Sequence, residues 1–357
     1  MSSTRLRTSA AAYLFNLCVE CRSRTHARGY RRSVDTADSL SEKSTSSDSP
    51  LTPAQQATLD LIRLPVDERI THKSTLRAQI QLELEKETVD LVDQIEEPLW
   101  VSKRQLQAVT SCEALYEAQQ VEPFEWKLPM TRGQIFHKCV ELSIHLSPPR
   151  TAAELVDEAL GSLMNRGDGL ANFLLDLNDI ERAEIRSDVG SLLQTFFDTF
   201  PPLRPAWIPT TESPRKVLLH RGKIVLQGRF DLTVGQPDEL TAGRVLLELK
   251  TGRAVPHHLD DLRFYALLET LVVGVPPSLL ASFYVDAGTV QVEAVDEDLL
   301  RSAIRRTGSS IRRLVQLRLK EVHPEKRPSG SCRWCPVAAD CRPGQSWLEQ
   351  AGGGGAW

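Results

Sequence analysis

Two apolar runs in the second half of the chain carry acids where a buried strand should have none. GRFDLTV, residues 228–234, contains Asp231, and VLLELKTG, residues 245–252, contains Glu248 and Lys250. A carboxylate inside an apolar strand costs desolvation energy unless it is paired or binds a cation. A divalent metal resolves the conflict, since Mg²⁺ prefers hard oxygen ligands and takes one or two carboxylates from a protein. Glu248 and Lys250 are two residues apart, so on a strand they share a face while Leu249 points into the core. The Leu249 carbonyl then remains available as a further oxygen ligand, and Asp231 on a neighbouring strand completes the site. An ammonium beside a metal ion orients or deprotonates the attacking water and stabilises charge developing on phosphorus. The same residues read equally as an ion pair on a solvated face with Asp231 at an edge, so their spacing alone does not decide for chemistry.

The elements that must position these residues follow from pattern. KVLLHRGKIVLQGRFDLTV is two strand-like runs joined at HRGK, RVLLELKTG is a third, LDDLRFYALLETLVVG is an amphipathic helix, and SLLASFYVDAGTVQVEAV is a second hairpin. A long basic helix follows from about Asp296 to Val322. Upstream, the chain reads helical from Leu51 to about Ala118. There SKRQLQAVTSCEALYEAQQ opens with Ser102 and Gln105 in a capping-box spacing and puts Cys112 on or just after its helix. TRGQIFHKCVELSIHL reads as a helix with Gly133 near its start and His137 one turn on, and residues 151–200 are mostly helical with a loop at NRGDG. This order predicts an α/β core with a mixed sheet behind a largely helical N-terminal region.

Taken together, the motifs resemble the PD-(D/E)XK nuclease superfamily, and its RecB-like branch most closely. GRFDLTV is similar to the motif holding the metal-binding Asp, here Asp231, and LELKTG to the (D/E)-x-K motif, here Glu248 and Lys250. GQIFH resembles an upstream G-x-x-x-H motif, which implies that His137 is a further metal ligand. LDDLRFYALL resembles the helix that carries Q-x-x-x-Y, with Tyr265 at the tyrosine and Asp261 where glutamine is expected. That departure bears on the helix's polar contact with the active site and DNA, not on the metal site. The resemblance implies a restriction-endonuclease-like mixed-sheet core flanked by helices, with Mg²⁺ or Mn²⁺ as cofactor and catalytic roles for Asp231, Glu248, Lys250 and Tyr265. It also implies a DNA nuclease that hydrolyses phosphodiester bonds, by analogy a single-stranded DNA exonuclease in repair or recombination.

Three of the seven cysteines fall in CRWCPVAADC, where Cys332, Cys335 and Cys341 form C-x2-C-x5-C. Three thiolates leave a tetrahedral site one ligand short. Cys112 is the best fourth, with Cys139, Cys18 and Cys21 as alternatives. The layout resembles the iron–sulfur subgroup of RecB-like nucleases, which implies that Cys112, Cys332, Cys335 and Cys341 hold a [4Fe–4S] cluster tying the ends of the domain together. Pro336 after the second downstream cysteine fits that pattern, whereas Glu113 stands where proline often follows the upstream cysteine. Zn²⁺ is the alternative occupant. Cys139, two positions from His137, reads as a small core residue.

The formal net charge of −4 excludes a globally basic nucleic-acid binder, so any DNA-binding face must be local. RSAIRRTGSSIRRLVQLRLK supplies one: Arg305 and Arg312, like Arg306 and Arg313, are seven apart and line a helical face, suited to phosphates or simply solvated. Trp334 beside the cysteines stacks on a base or packs against the metal site. No stretch has the apolar length of a membrane span. No P-loop is present, so the chain is not a helicase motor, and a helicase or repair protein is left as a partner.

Residues 1–50 read as disordered, and their Arg- and Ser-rich start also resembles an organellar transit peptide. Cysteine usage places the rest inside the cell. The organisation expected is a helical region at 51–130, a nuclease core with the cysteine cluster at 131–345 and a flexible tail at 346–357. The competing readings are a non-catalytic nuclease-like DNA-binding subunit and a zinc-stabilised interaction protein.

Overall fold

Helices come first. α1 (Pro53–Ile62), α2 (Leu76–Thr88), the short strand β1 (Leu99–Val101), α3 (Lys103–Thr110), α4 (Glu113–Val121), α5 (Leu128–His145), α6 (Ala152–Met164), α7 (Gly169–Asp176) and α8 (Asp179–Thr199) precede the main sheet. Then come β2 (Thr210–Leu219), β3 (Ile224–Val234), β4 (Val245–Lys250), α9 (His257–Val273), β5 (Leu279–Tyr284), β6 (Thr289–Ala294), α10 (Glu297–Arg318) and α11 (Arg342–Gly352). The computed structural model describes residues 50–121, 124–255 and 257–352, so the expectations for residues 1–49, including Cys18 and Cys21, lie outside it. Among the described residues no helix is long and apolar enough to cross a membrane.

Local chemistry starts these helices where the pattern requires. Thr52 with Gln55, Thr151 with Glu154 and Asn178 with Glu181 form reciprocal capping boxes, which satisfy N–H groups that a helix start leaves unpaired. At α3 the Gln105 side-chain oxygen accepts from the Ser102 N–H at 2.7 Å and from its hydroxyl at 2.8 Å. α10 begins on the Asp296 cap, where the sequence places its start, but ends at Arg318 and not near Val322, the chain turning left-handed at Lys320 with φ of 58°.

The sheet is mixed and centred on β3. β2 pairs antiparallel along its length, from Leu219 opposite Ile224 to Thr210 opposite Thr233. On its other side β3 meets β1 in parallel at one end and β4 antiparallel at the other. β4 and β5 run parallel, joined through α9, and β6 closes the far edge antiparallel to β5. The N-terminal helical region therefore contributes a strand to the sheet.

Each face of the sheet buries its own apolar core, which makes the fold α/β with helices on both sides. Leu84 of α2, Leu106 of α3, Leu267 of α9 and Ile311 of α10 pack with Leu246 and Phe230 on one face. Ile135 of α5, Leu155 of α6, Leu170 of α7 and Leu193 of α8 pack with Leu247, Leu249 and Phe283 on the other. Alternation along β4 places Glu248 and Lys250 on the Leu246 face and Leu249 in the opposite core, as its sequence predicts.

The stretch read as a flexible tail differs. Residues 346–352 belong to α11, which packs on the short turns carrying the downstream cysteines. Its order comes from that contact, which the glycine-rich sequence beyond it does not announce.

Candidate active site

A slip in β3 opens the sheet at Asp231. Phe230 points into one core and Leu232 into the other, although residues two apart on a regular strand share a face. The β2–β3 ladder pairs Thr211 with Leu232 and Ser213 with Phe230, and skips the step between, where Glu212 stands opposite Asp231. Glu212 has φ of 48°, a left-handed conformation that costs a non-glycine residue about 1–2 kcal/mol. The β3–β4 ladder also stops one step short, at Leu232 opposite Leu247. There the Asp231 carboxylate replaces the main chain, and its Oδ2 accepts from the Leu249 N–H at 2.9 Å.

α5 brings in the third element. His137 Nε2 donates to the Leu249 carbonyl at 3.1 Å, and Nδ1 lies 3.5 Å from both Glu212 Oε1 and Asp231 Oδ1. One turn earlier, Gly133 faces the end of β4, where a Cβ would lie in ordinary contact with Thr251 Oγ1 at 3.4 Å. Among the described residues, His137, Glu212 and Asp231 form the group whose ligand atoms lie within 4.8 Å of one another, the spacing a metal ion requires.

Glu248 is buried beside them. Its Oε1 accepts from Lys250 Nζ at 2.8 Å and also from Lys103 Nζ, which arrives from the first residue of α3. Its Oε2 is buried with no partner. An unpaired buried carboxylate oxygen is costly, and a cation held with the His137 group would relieve that cost. The donor set, one imidazole and hard carboxylate oxygens, fits Mg²⁺ or Mn²⁺.

Electrostatics divides the acids. Burial, reinforced by the neighbouring Glu248, raises the Asp231 carboxyl to about 6. Burial also opposes the charge on Glu248, but Lys103 and Lys250 overcome it and hold that carboxyl down at about 2. For His137, burial disfavours the cation, yet Asp231 and Glu212 raise the imidazole to about 9. Burial raises Asp261 of α9 to about 6 against the pull of Lys103 and Lys250.

Tyr265 is buried, its ring 4.8 Å from that of Phe230 and its face 4.9 Å below Lys103 Nζ. A Cβ on Gly228 would come within 2.7 Å of Tyr265 Cε1, so the glycine of GRFD makes room for this ring. Burial pushes its phenol well up, which keeps the hydroxyl protonated.

The structure thus brings together His137, Asp231, Glu248, Lys250, the Leu249 carbonyl and Tyr265, and adds two residues that the sequence reading missed. Glu212 lies just upstream of KVLLH, where the strand was expected to begin. Counting the antiparallel register back from HRGK would have set it opposite Asp231. Lys103 carried no signal, because no local pattern aims a helix-start lysine at a strand far away in sequence.

The basic helix is largely engaged within the chain. Arg313 forms two hydrogen bonds of 2.6 Å with the buried Glu113, Arg312 holds Asp90 at 2.5 Å, and Arg306 lies 2.8 Å from Asp260. Arg305 is exposed and makes no ion pair among the described residues.

The four cysteines predicted to act together do gather. Gly344 lies so close to them that a Cβ would stand 3.3 Å from Cys341 Sγ and 3.5 Å from Cys332 Sγ. Burial raises the Cys335 thiol, and Cys112, Cys332 and Cys341 nearby raise it further. Cys139 is buried in the other core, where burial pushes its thiol to about 12. Trp334 is 69% exposed.

No curated protein matches the chain. A solved structure from Eubacterium rectale, described as a candidate exonuclease, is 10% identical, with a TM-score of 0.41 over 71% of this chain and 92% of that one. A second, the protein SSO0001, is 12% identical, with a TM-score of 0.29 over 74% and 97%. Likenesses this loose carry no argument. The family described as the PD-(D/E)XK nuclease superfamily matches residues 101–342. That span covers more than half of the chain, from the end of β1 past Cys341, and takes in every residue of the site above. The chain belongs to the PD-(D/E)XK nuclease superfamily.

Proposed function

We propose that this protein is a Mg²⁺- or Mn²⁺-dependent deoxyribonuclease of the RecB-like branch, acting as an exonuclease on single-stranded DNA in repair or recombination. The observation that carries the reading is the convergence of His137, Glu212 and Asp231 with Glu248, whose buried Oε2 has no other partner. His137, Glu212, Asp231 and Glu248 would hold the metal, which supplies Lewis-acid polarisation of the phosphodiester. Lys250 shares the face of Glu248 and orients the attacking water. Tyr265 supports the site from below, and Asp261, in place of the family's glutamine, puts a carboxyl on the same helix one turn earlier. Arg305 is the residue of α10 best placed to meet DNA phosphates, since Arg306, Arg312 and Arg313 already have partners.

The cysteines support a [4Fe–4S] cluster. A tetrahedral Zn²⁺ with Zn–S bonds of about 2.3 Å draws its sulfurs to within about 4 Å of one another. A cluster instead takes one thiolate per iron, and Cys112, Cys332, Cys335 and Cys341 with Pro336 match the layout of the iron–sulfur subgroup that the sequence resembles. Gly344 leaves open the ground that a side chain would fill.

The direct test is cleavage of end-labelled single-stranded DNA by anaerobically purified protein in Mg²⁺ or Mn²⁺. Wild type should cleave, and Asp231→Ala and Lys250→Ala should lose at least ~100-fold in rate. Binding without cleavage in protein of full iron content would favour the non-catalytic subunit instead.

A further inference from the structure

We propose that Lys103 is a second active-site ammonium, which takes a phosphate oxygen of the substrate beside Lys250. The inference rests on the phosphodiester reading above. Lys103 Nζ and Lys250 Nζ share one acceptor, Glu248 Oε1. Two ammoniums on a single carboxylate oxygen supply more positive charge than that oxygen requires, and Lys250 alone satisfies it. The two lysines are held differently. Lys250 sits two residues from Glu248 on the same strand, so its bond to that carboxylate is built into β4. Lys103 comes from another element, at the start of α3, with its ammonium over the Tyr265 ring. It is also the most open of the three side chains, 28% exposed against 19% for Lys250 and 4% for Glu248.

An anion approaching the metal ligands therefore meets Lys103 before it meets Lys250. A phosphate oxygen would replace Glu248 as the partner of Lys103, while Lys250 keeps Glu248 Oε1 and Oε2 is left free for a cation. A charge-assisted hydrogen bond to phosphate is among the strong ones available to a side chain. Asp231 and Asp261 are the other acids near Lys103: Asp231 is engaged with the Leu249 N–H, and Asp261 is a buried residue of α9.

A lysine that merely steadied Glu248 would behave differently, and metal binding separates the two roles. If Lys103 serves the phosphate, replacing it leaves Glu248 held by Lys250 and removes a cation that repels the metal, so metal affinity stays the same or tightens. If Lys103 only positions Glu248, metal affinity falls.

The experiment uses the full chain with Lys103→Met, Lys103→Gln and Lys103→Arg. It measures Mn²⁺ affinity without nucleotide by calorimetry, thymidine 5′-monophosphate affinity in Ca²⁺ by ³¹P NMR, and cleavage of single-stranded DNA in Mn²⁺. The Met and Gln variants should bind Mn²⁺ as well as wild type or better, bind the nucleotide at least ~10-fold more weakly, and cleave at least ~100-fold more slowly. Lys103→Arg should recover part of both losses. Nucleotide affinity within about threefold of wild type would overturn the proposal. So would Mn²⁺ binding that weakens together with it, absence of nucleotide binding by wild type, or failure of both neutral variants to fold. Wild type that holds the nucleotide through Lys103 yet cleaves no DNA would sink the nuclease reading and leave Lys103 as a phosphate ligand.

Discussion

Glu212 and Asp231 show how two acids come to face each other inside a sheet. Each gives up a regular ladder position, and Glu212 also adopts a left-handed backbone. Such strain persists only where the surroundings enforce it, and here the contact with His137 does so. His137 faces both carboxylates, which raise its imidazole to about 9. A neutral amide at Glu212 keeps the shape and removes one anionic ligand. Glu212→Gln should therefore weaken Mn²⁺ binding roughly tenfold while leaving the fold in place, read by calorimetry beside a urea melt.

At the scale of elements, the site is an intersection. β3 and β4 supply Asp231, Glu248 and Lys250, β2 supplies Glu212, α5 supplies His137, and α3 supplies Lys103. Close approach requires glycine at Gly228, under α9. At Gly228 a new side chain meets the rigid Tyr265 ring at 2.7 Å and Leu268 Cδ2 at 2.9 Å. Gly228→Val should overpack that contact and cost about 1–3 kcal/mol in a denaturation experiment. It should also push α9 away from Lys103, so cleavage should fall by more than the loss of folded protein accounts for. α3 links two centres, because Lys103 lies at its start and Cys112 just beyond its end. Whatever anchors Cys112 therefore helps to aim Lys103.

At the scale of the molecule, the start of α4 meets the segment after α10, where the Glu113 N–H donates to the Glu325 carbonyl at 3.1 Å, and the proposed cluster would tie the same junction. If the four cysteines hold the proposed cluster, Cys335→Ala should lose bound iron and much of the folded protein, measured by iron content and by thermal melting, whereas Cys139→Ala should keep its iron. The same junction holds a buried pair, with Glu113 taking two hydrogen bonds from Arg313 and one from the Glu325 N–H at 2.7 Å. Breaking it strands a buried carboxylate. Arg313→Ala should cost on the order of 2 kcal/mol, and Arg305→Ala less than about 0.5 kcal/mol. In DNA-binding titrations the order should invert, with the folded Arg305→Ala protein showing the weaker affinity and the shallower salt dependence.

The α/β class, the order of helices and strands, the capping at Ser102, the start of the basic helix near Asp296, and the pairing of Glu248 with Lys250 on one face were all legible in the sequence. Each depends on residues within a few positions of one another, where periodicity and capping chemistry act directly. Asp231, His137 and the cysteines were legible as motifs, and the structure sets Asp231 beside His137 and gathers the four cysteines elsewhere. Glu212 and Lys103 were not, for the same physical reason. Their positions depend on a local break in β3 and on a helix start carried across the sheet, and neither leaves a periodic trace. The arginines of α10 show the converse case. Their spacing is that of an exposed basic face, but only tertiary packing could supply Asp90, Glu113 and Asp260, acids far away in sequence, and so turn most of that face inward.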